Sequence, residues 1–148
     1  MASNRHLGRI IALQTLYEYE FRVQCNDPAA DLTDILTRNI ARYADTVDDT
    51  EFVERLTRGV SSKSTELDAI IQPIAPEWPI DQIARVDRVI LRMAIYELTE
   101  LGDIVPPKVA INEAVELAKA FGADNSSKFV NGVLGTAYRH LVEEKEVA

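Results

Sequence analysis

Arg5, His6 and Arg9 stand near the start of the first segment with helical apolar spacing, and they are the first residues with an evident chemical use. Arg5 and Arg9 are four apart and so share one helix face. Cationic side chains beside the unpaired N–H groups of a helix start make a place for an anion. Two cations there also oppose the helix macrodipole, so a compensating anion is expected. Gln14 and Tyr17 follow on the same helix, an amide for hydrogen bonding and a ring for stacking. Toward the other end, Ser126-Ser127-Lys128-Phe129 opens the last helix with hydroxyls, free N–H groups, one cation and one ring in a single turn. This mixture suits single-stranded RNA, whose phosphates meet cations and whose splayed bases stack on rings. The plainer readings are core packing for Tyr17 and Phe129 and solvated surface for Lys128.

Catalytic equipment is sparse. The two histidines, His6 and His140, lie at opposite ends of the sequence, and Cys25 is the single cysteine. These give no spacing that resembles a structural zinc site. The sequence has no glycine-rich phosphate loop and no Gly-x-Ser-x-Gly elbow. Glu113 and Glu116 share a helix face but read as solvated or salt-bridged glutamates. Asn125-Ser126-Ser127 fits the glycosylation pattern and reads here as a helix cap. Neither a catalytic role nor a metal or cofactor is expected.

The 148 residues carry 24 acids against 16 bases, a net charge of −8. Such a balance ordinarily argues against nucleic acid. The charge is uneven, however. Residues 1–23 and 104–140 are each +1, residues 24–103 are −8 and residues 141–148 are −2. Both proposed RNA-facing segments therefore stay open to an anion. Apolar residues make up 47%, enough for a packed core. No run approaches the roughly 20 apolar residues of a membrane span, and MASNRHLGR lacks the apolar core of a signal peptide. With its lone cysteine, the chain reads as a cytoplasmic protein.

The elements that must position these residues are all helical. The apolar period predicts about seven helices in two packed lobes of one domain over residues 1–148, split near 73–79 by Pro73, Pro76 and Pro79. The lobes span about 1–75 and 80–142, followed by an acidic tail at 143–148 that is expected to fray. Ser3 or Asn4 is expected to cap the first helix, which continues to Phe21, and Asn26-Asp27-Pro28 to break it. A second helix is predicted from about Ala29 to Tyr43. A third runs from the Asp45–Asp49 loop through Ile71 without interruption. Trp78, in the proline-rich connector, is expected to plug the space between lobes. Ile80 to about Leu101 forms the next helix, a short turn and then a longer piece, with Asp81, Arg85, Arg88 and Arg92 along a polar edge. Pro106-Pro107 opens a helix that buries Ile111, Ala114, Val115, Ala118 and Phe121 and stops at Gly122. The last helix runs from about Ser127 to Val142.

The run from Val86 to Leu98 (VDRVILRMAIYEL), KVAINEAVELAKAFG (108–122) and SSKFVNGVL (126–134) closely resemble the NusB family, and ALQTLY (12–17) resembles its first helix. The resemblance covers nearly the whole chain and is most specific in the C-terminal half. It implies an all-α transcription antitermination factor. Such proteins pair with the small-subunit ribosomal protein NusE, bind the boxA element of ribosomal RNA leader transcripts, and join RNA polymerase with other Nus factors. By position, Arg5, His6 and Arg9 match the arginine-rich RNA arm. Gln14 and Tyr17 match the RNA-facing part of the first helix, and Lys128 and Phe129 the RNA-facing start of the last. Asp81 and Asp87 match acidic positions that dock the ribosomal partner, where complementary charge steers encounter.

The sequence departs from the family pattern in places. His6 and Leu7 thin the usual arginine cluster, Ile10 and Asn125 stand where acids are common, and the loop 101–107 is about one residue longer. Fewer cations imply weaker and less salt-sensitive RNA binding by this chain alone. Arg92 is expected to pair with Glu97 or Glu113 and tie two helices together. Two other arrangements are consistent with the resemblance. One is the RNA-targeting domain of a ribosomal RNA cytosine methyltransferase, which the absence of a Rossmann-like segment before Ala148 disfavours. The other is a homodimeric module that covers its RNA surface.

Overall fold

The computed structural model describes residues 2–144, with side chains from Arg5 onward. Ser3 and Asn4, the expected caps, and residues 145–148 of the acidic tail lie outside the described side chains. Among the described residues there is no strand, and no helix is long and apolar enough to cross a membrane. The chain divides into two compact units, residues 1–62 and 63–148.

The first unit holds α1 (Ala2–Gln24), α2 (Leu32–Arg42) and α3 (Thr50–Ser62), with α1 packed on both others. Ile11, Leu36, Val47 and Val53 form its core, flanked by Leu7, Ile40 and Tyr43. A buried polar bridge crosses this core: Asn39 Nδ2 donates to Thr15 Oγ1 at 3.0 Å, and Thr15 Oγ1 donates to the Ile11 carbonyl at 2.8 Å. Satisfied groups of this kind tolerate burial. Asn26, with φ +60°, turns the chain out of α1, a conformation that asparagine tolerates. Asp31 caps α2 and Asp49 caps α3, each side chain accepting from the N–H three residues on. Helix α2 thus starts at Leu32, after its cap, rather than at Ala29.

The second unit holds α4 (Ser64–Ile74), a 3-10 turn (Ile80–Gln82), α5 (Arg85–Glu100), α6 (Pro107–Phe121), α7 (Ser126–Tyr138) and a closing π turn (Arg139–Glu143). Helix α5 is its axis, buried along most of its length and packed by α4, α6 and α7. Val89, Ile90, Met93, Ala94, Leu117, Val130 and Leu134 fill the space between them.

The single long helix expected through residue 71 is two helices. Lys63 leaves helical geometry at φ −110° and ψ 18°, and Ser62 Oγ donates to the Gly59 carbonyl at 3.2 Å. Serine side chains that bond the nearby backbone compete with helix continuation, and here they end α3. Because α4 packs on α5 and α7, the two units part at residue 63, ahead of the proline cluster. Pro73 sits in the last turn of α4, where it forgoes one backbone bond and the helix ends a residue later.

Gly122 stops α6 for a reason other than backbone handedness, since its φ is −91°. A Cβ there would lie 2.5 Å from Ser126 Cβ and Oγ. Ser126, itself buried, accepts the Ala123 N–H at 2.9 Å, so the α6–α7 turn closes tightly over the glycine. Phe121, expected in the buried stripe, is exposed at the end of its helix, and Phe21 is likewise exposed on α1.

Candidate nucleic-acid and partner interfaces

In the first unit, the start of α1 lies against the start of α3. Arg5 Nε is 3.6 Å from Asp49 Oδ2, while the other Asp49 oxygen caps α3. The Arg5 and Arg9 guanidinium carbons each sit 5.2 Å from the Phe52 ring centroid. The compensating anion expected for this cluster is thus supplied partly from within, by Asp49. Arg9 is 2% exposed, so its guanidinium serves cation–π packing inside the unit. Its assignment as a phosphate contact does not fit that burial. Arg5, His6 and Gln14 remain half-buried, and Tyr17 is exposed. Next to Tyr17, Arg38 and Arg22 hydrogen-bond Glu18 and hold its carboxyl below the usual range. This stretch of α1 is therefore close to neutral.

In the second unit, Lys128 is exposed and Phe129 half-buried in the first turn of α7, which no side chain caps. Both line a hollow of about 260 Å³ whose other walls include Ile74, Ala75, Pro76, Glu77 and Trp78. Trp78 is 53% exposed, so it is not the buried plug expected from the sequence. Pro76 and Pro79 hold its segment out of helical geometry, and Gln72 fixes it. Gln72 Nε2 donates to the Trp78 carbonyl at 2.9 Å, and Gln72 Oε1 accepts the Ile80 N–H at 2.8 Å. Its exposed ring makes Trp78 a further candidate site residue, one that the sequence reading places as core filler. The available signal was a large ring bracketed by prolines, which bars it from the helix faces that build a core.

A second hollow of about 210 Å³ adjoins Trp78 and Phe129 and is completed by Gln82, Ile83, Ala84 and Asp87. Of the two acids assigned to a partner, Asp81 is exposed and Asp87 is 9% exposed. No donor meets Asp87 Oδ1 among the described residues. Arg88, placed on a polar edge by its spacing, is largely buried. Its Nη1 donates to the carbonyls of Ile80, Asp81 and Ile83 at 3.1–3.4 Å, which pins the turn beneath the hollow. Arg92 binds Asp68 of α4 in a two-pronged ion pair, with Nε to Oδ1 at 2.6 Å and Nη2 to Oδ2 at 2.8 Å. It therefore ties α5 to α4. No group of three or more metal-ligating side chains occurs among the described residues.

Comparison with known proteins gives this geometry a context. The NusB family model matches residues 6–139. The transcription antitermination protein NusB of Chloroflexus aggregans is 44% identical over 147 residues, covering 99% of this chain and 94% of that one. The solved structure of T. maritima NusB superposes with a TM-score of 0.81 at 33% identity and 97% coverage of both chains. A crystal structure of the antitermination factors NusB and NusE in complex with double-stranded RNA shares the fold, with a TM-score of 0.78 at 24% identity over 94% of this chain and 98% of that one. The chain belongs to the NusB family.

Proposed function

We propose that this protein is a transcription antitermination factor that, with the ribosomal protein NusE, holds boxA-type single-stranded RNA and joins RNA polymerase with other Nus factors in the cytoplasm. Family membership supports the class of function. The observation that carries the RNA assignment is the exposed Lys128 beside Phe129 in the uncapped first turn of α7. Lys128 meets a phosphate there, and the Phe129 ring offers a face to a base. Arg5, His6, Gln14 and Tyr17 are proposed as contacts on α1, with Arg5 shared between RNA and Asp49. Asp81 and Asp87 are proposed as the acids that meet the basic ribosomal partner. The action is stoichiometric: binding energy assembles a complex, and no bond in a substrate is broken.

The test is a titration of labelled boxA RNA with and without NusE across a range of salt concentrations. NusE is expected to tighten binding. Lys128→Ala should flatten the slope of log K against log salt by about 0.7, the contribution of one phosphate contact on a single strand. An affinity indifferent to NusE overturns the composite surface. An affinity indifferent to both Arg5→Ala and Lys128→Ala overturns the site assignment.

A further inference from the structure

Residues 75–84 join α4 to α5, and their own backbone does little to hold them. Pro76 and Pro79 carry no N–H. Among the described residues, backbone bonds within the connector close only the 3-10 turn. There the Gln82 N–H donates to the Pro79 carbonyl at 2.9 Å and the Ile83 N–H to the Ile80 carbonyl at 3.3 Å. The rest of the hold comes from one side chain on each flanking helix. From α4, the Gln72 amide donates to the Trp78 carbonyl at 2.9 Å and accepts the Ile80 N–H at 2.8 Å. A primary amide is suited to this, because one group offers both a donor and an acceptor. From α5, Arg88 Nη1 donates to the carbonyls of Ile80, Asp81 and Ile83. What this clasp holds is largely exposed: Glu77, Trp78, Asp81 and Gln82 all face solvent. Fixing exposed residues returns little apolar burial, so core packing does not account for it. Fixing them in advance does remove an ordering cost from whatever binds them.

We propose that Gln72 is a positioning residue that, with Arg88 on the other flank, keeps the connector preformed, so that the ribosomal partner docks without a prior ordering step. This rests on the partner reading above and adds a residue that acts through the backbone of its neighbours. The consequence is kinetic. A side chain that touches the partner mainly sets how fast the complex separates. One that keeps the competent conformation populated sets how fast the complex forms, because only the competent fraction binds.

Two variants of the full chain test this. Gln72→Met keeps the length of the side chain and removes both bonds. Gln72→Glu keeps an acceptor but sets a carboxylate oxygen against the Trp78 carbonyl, two groups that cannot bond. Circular dichroism melting checks folding, and both variants should melt near the wild-type temperature, because the segment they release is exposed. In the free chain, exchange of the Ile80 amide hydrogen, followed by NMR, should quicken about tenfold or more. The anisotropy of Trp78, the chain's one tryptophan, should fall. In stopped-flow mixing with NusE, association should slow about three- to tenfold, while dissociation stays within about twofold of wild type. If both variants associate at the wild-type rate, or if the loss lies in dissociation alone, the positioning role is overturned and the partner reading stands. Unchanged Ile80 exchange in the free variants overturns it equally. If the wild-type chain does not bind NusE, both fall. If the variants slow association of boxA RNA and leave that of NusE alone, the connector is preformed for RNA and the proposal is overturned.

Discussion

Replacing Arg9 with alanine is expected to cost stability and to leave the salt dependence of RNA binding unchanged. Arg9 is 2% exposed, with its guanidinium carbon 5.2 Å from the Phe52 centroid. Truncation removes two buried methylenes, at about 0.8 kcal/mol each. It also removes a desolvated cation–π contact of about 2 kcal/mol. Relief of the guanidinium's burial cost works in the other direction and keeps the net loss near about 3 kcal/mol. Urea denaturation followed by circular dichroism reads this as a midpoint lower by about 1.5 M, for a slope of about 2 kcal/mol/M. Arg9→Met, which retains the apolar stem, should lose about half as much. RNA titrations under conditions where both variants are folded should give the wild-type salt slope. The reasoning is refuted if Arg9→Ala keeps its urea midpoint while its salt slope falls by about 0.7, because that pairing marks an arginine held out on a phosphate.

Gly122→Ala should lower the melting temperature and cost about 1–3 kcal/mol, since the added Cβ would meet Ser126 at 2.5 Å and the Ala118 carbonyl at 2.8 Å; an unchanged melt would show that the turn yields freely. Arg92→Ala should destabilise by about 2 kcal/mol, and a double-mutant cycle with Asp68→Ala should return a coupling of about 1 kcal/mol or more from the two-pronged pair. Hydrogen bonds from Arg38 and Arg22 depress the Glu18 carboxyl, so its contribution to stability is complete above the ordinary carboxylate range and is lost as pH falls through the lower folded value. Melting curves taken through the acid range should therefore fall less steeply for Glu18→Gln than for the wild type.

The fold was legible where the chemistry is local. Apolar period, the acidic 45–49 loop ahead of α3 and the Pro106-Pro107 opening each act within a few residues and place most helices, whereas the Asp31 cap that starts α2 at Leu32 emerges only in the structure. The break at Lys63 was harder to see, because apolar spacing resumes on both sides and the deciding event is one serine hydroxyl turning to a backbone carbonyl. Gly122 was recognised as a stop, but its cause lies four residues away in Ser126, a contact that only tertiary structure reveals. The site was legible by residue type and less so by exposure. Arginines four apart predict a shared face, and that spacing is silent on whether an aromatic from another helix covers it. Phe52 makes that decision for Arg9. Trp78 departs from its expected place in the opposite sense. Large rings usually go inside, yet three prolines leave this one on a connector with no helix face to bury it.

These two reversals bear on the net charge of −8. With Arg9 turned inward and Arg5 close to Asp49, α1 presents less positive potential than its composition promises, while Lys128 stands exposed on α7. Each phosphate contact contributes through the counterions it releases, so the proposed reading expects this chain to hold RNA weakly on its own. The acids beside Trp78 supply what is missing by a different route. On the proposed reading they attract a basic ribosomal protein to a surface that adjoins the Lys128 groove, and that protein brings its own cations within reach of the same RNA. An acidic RNA-binding factor is then physically coherent: its negative charge selects the partner, and the partner's positive charge completes the RNA site.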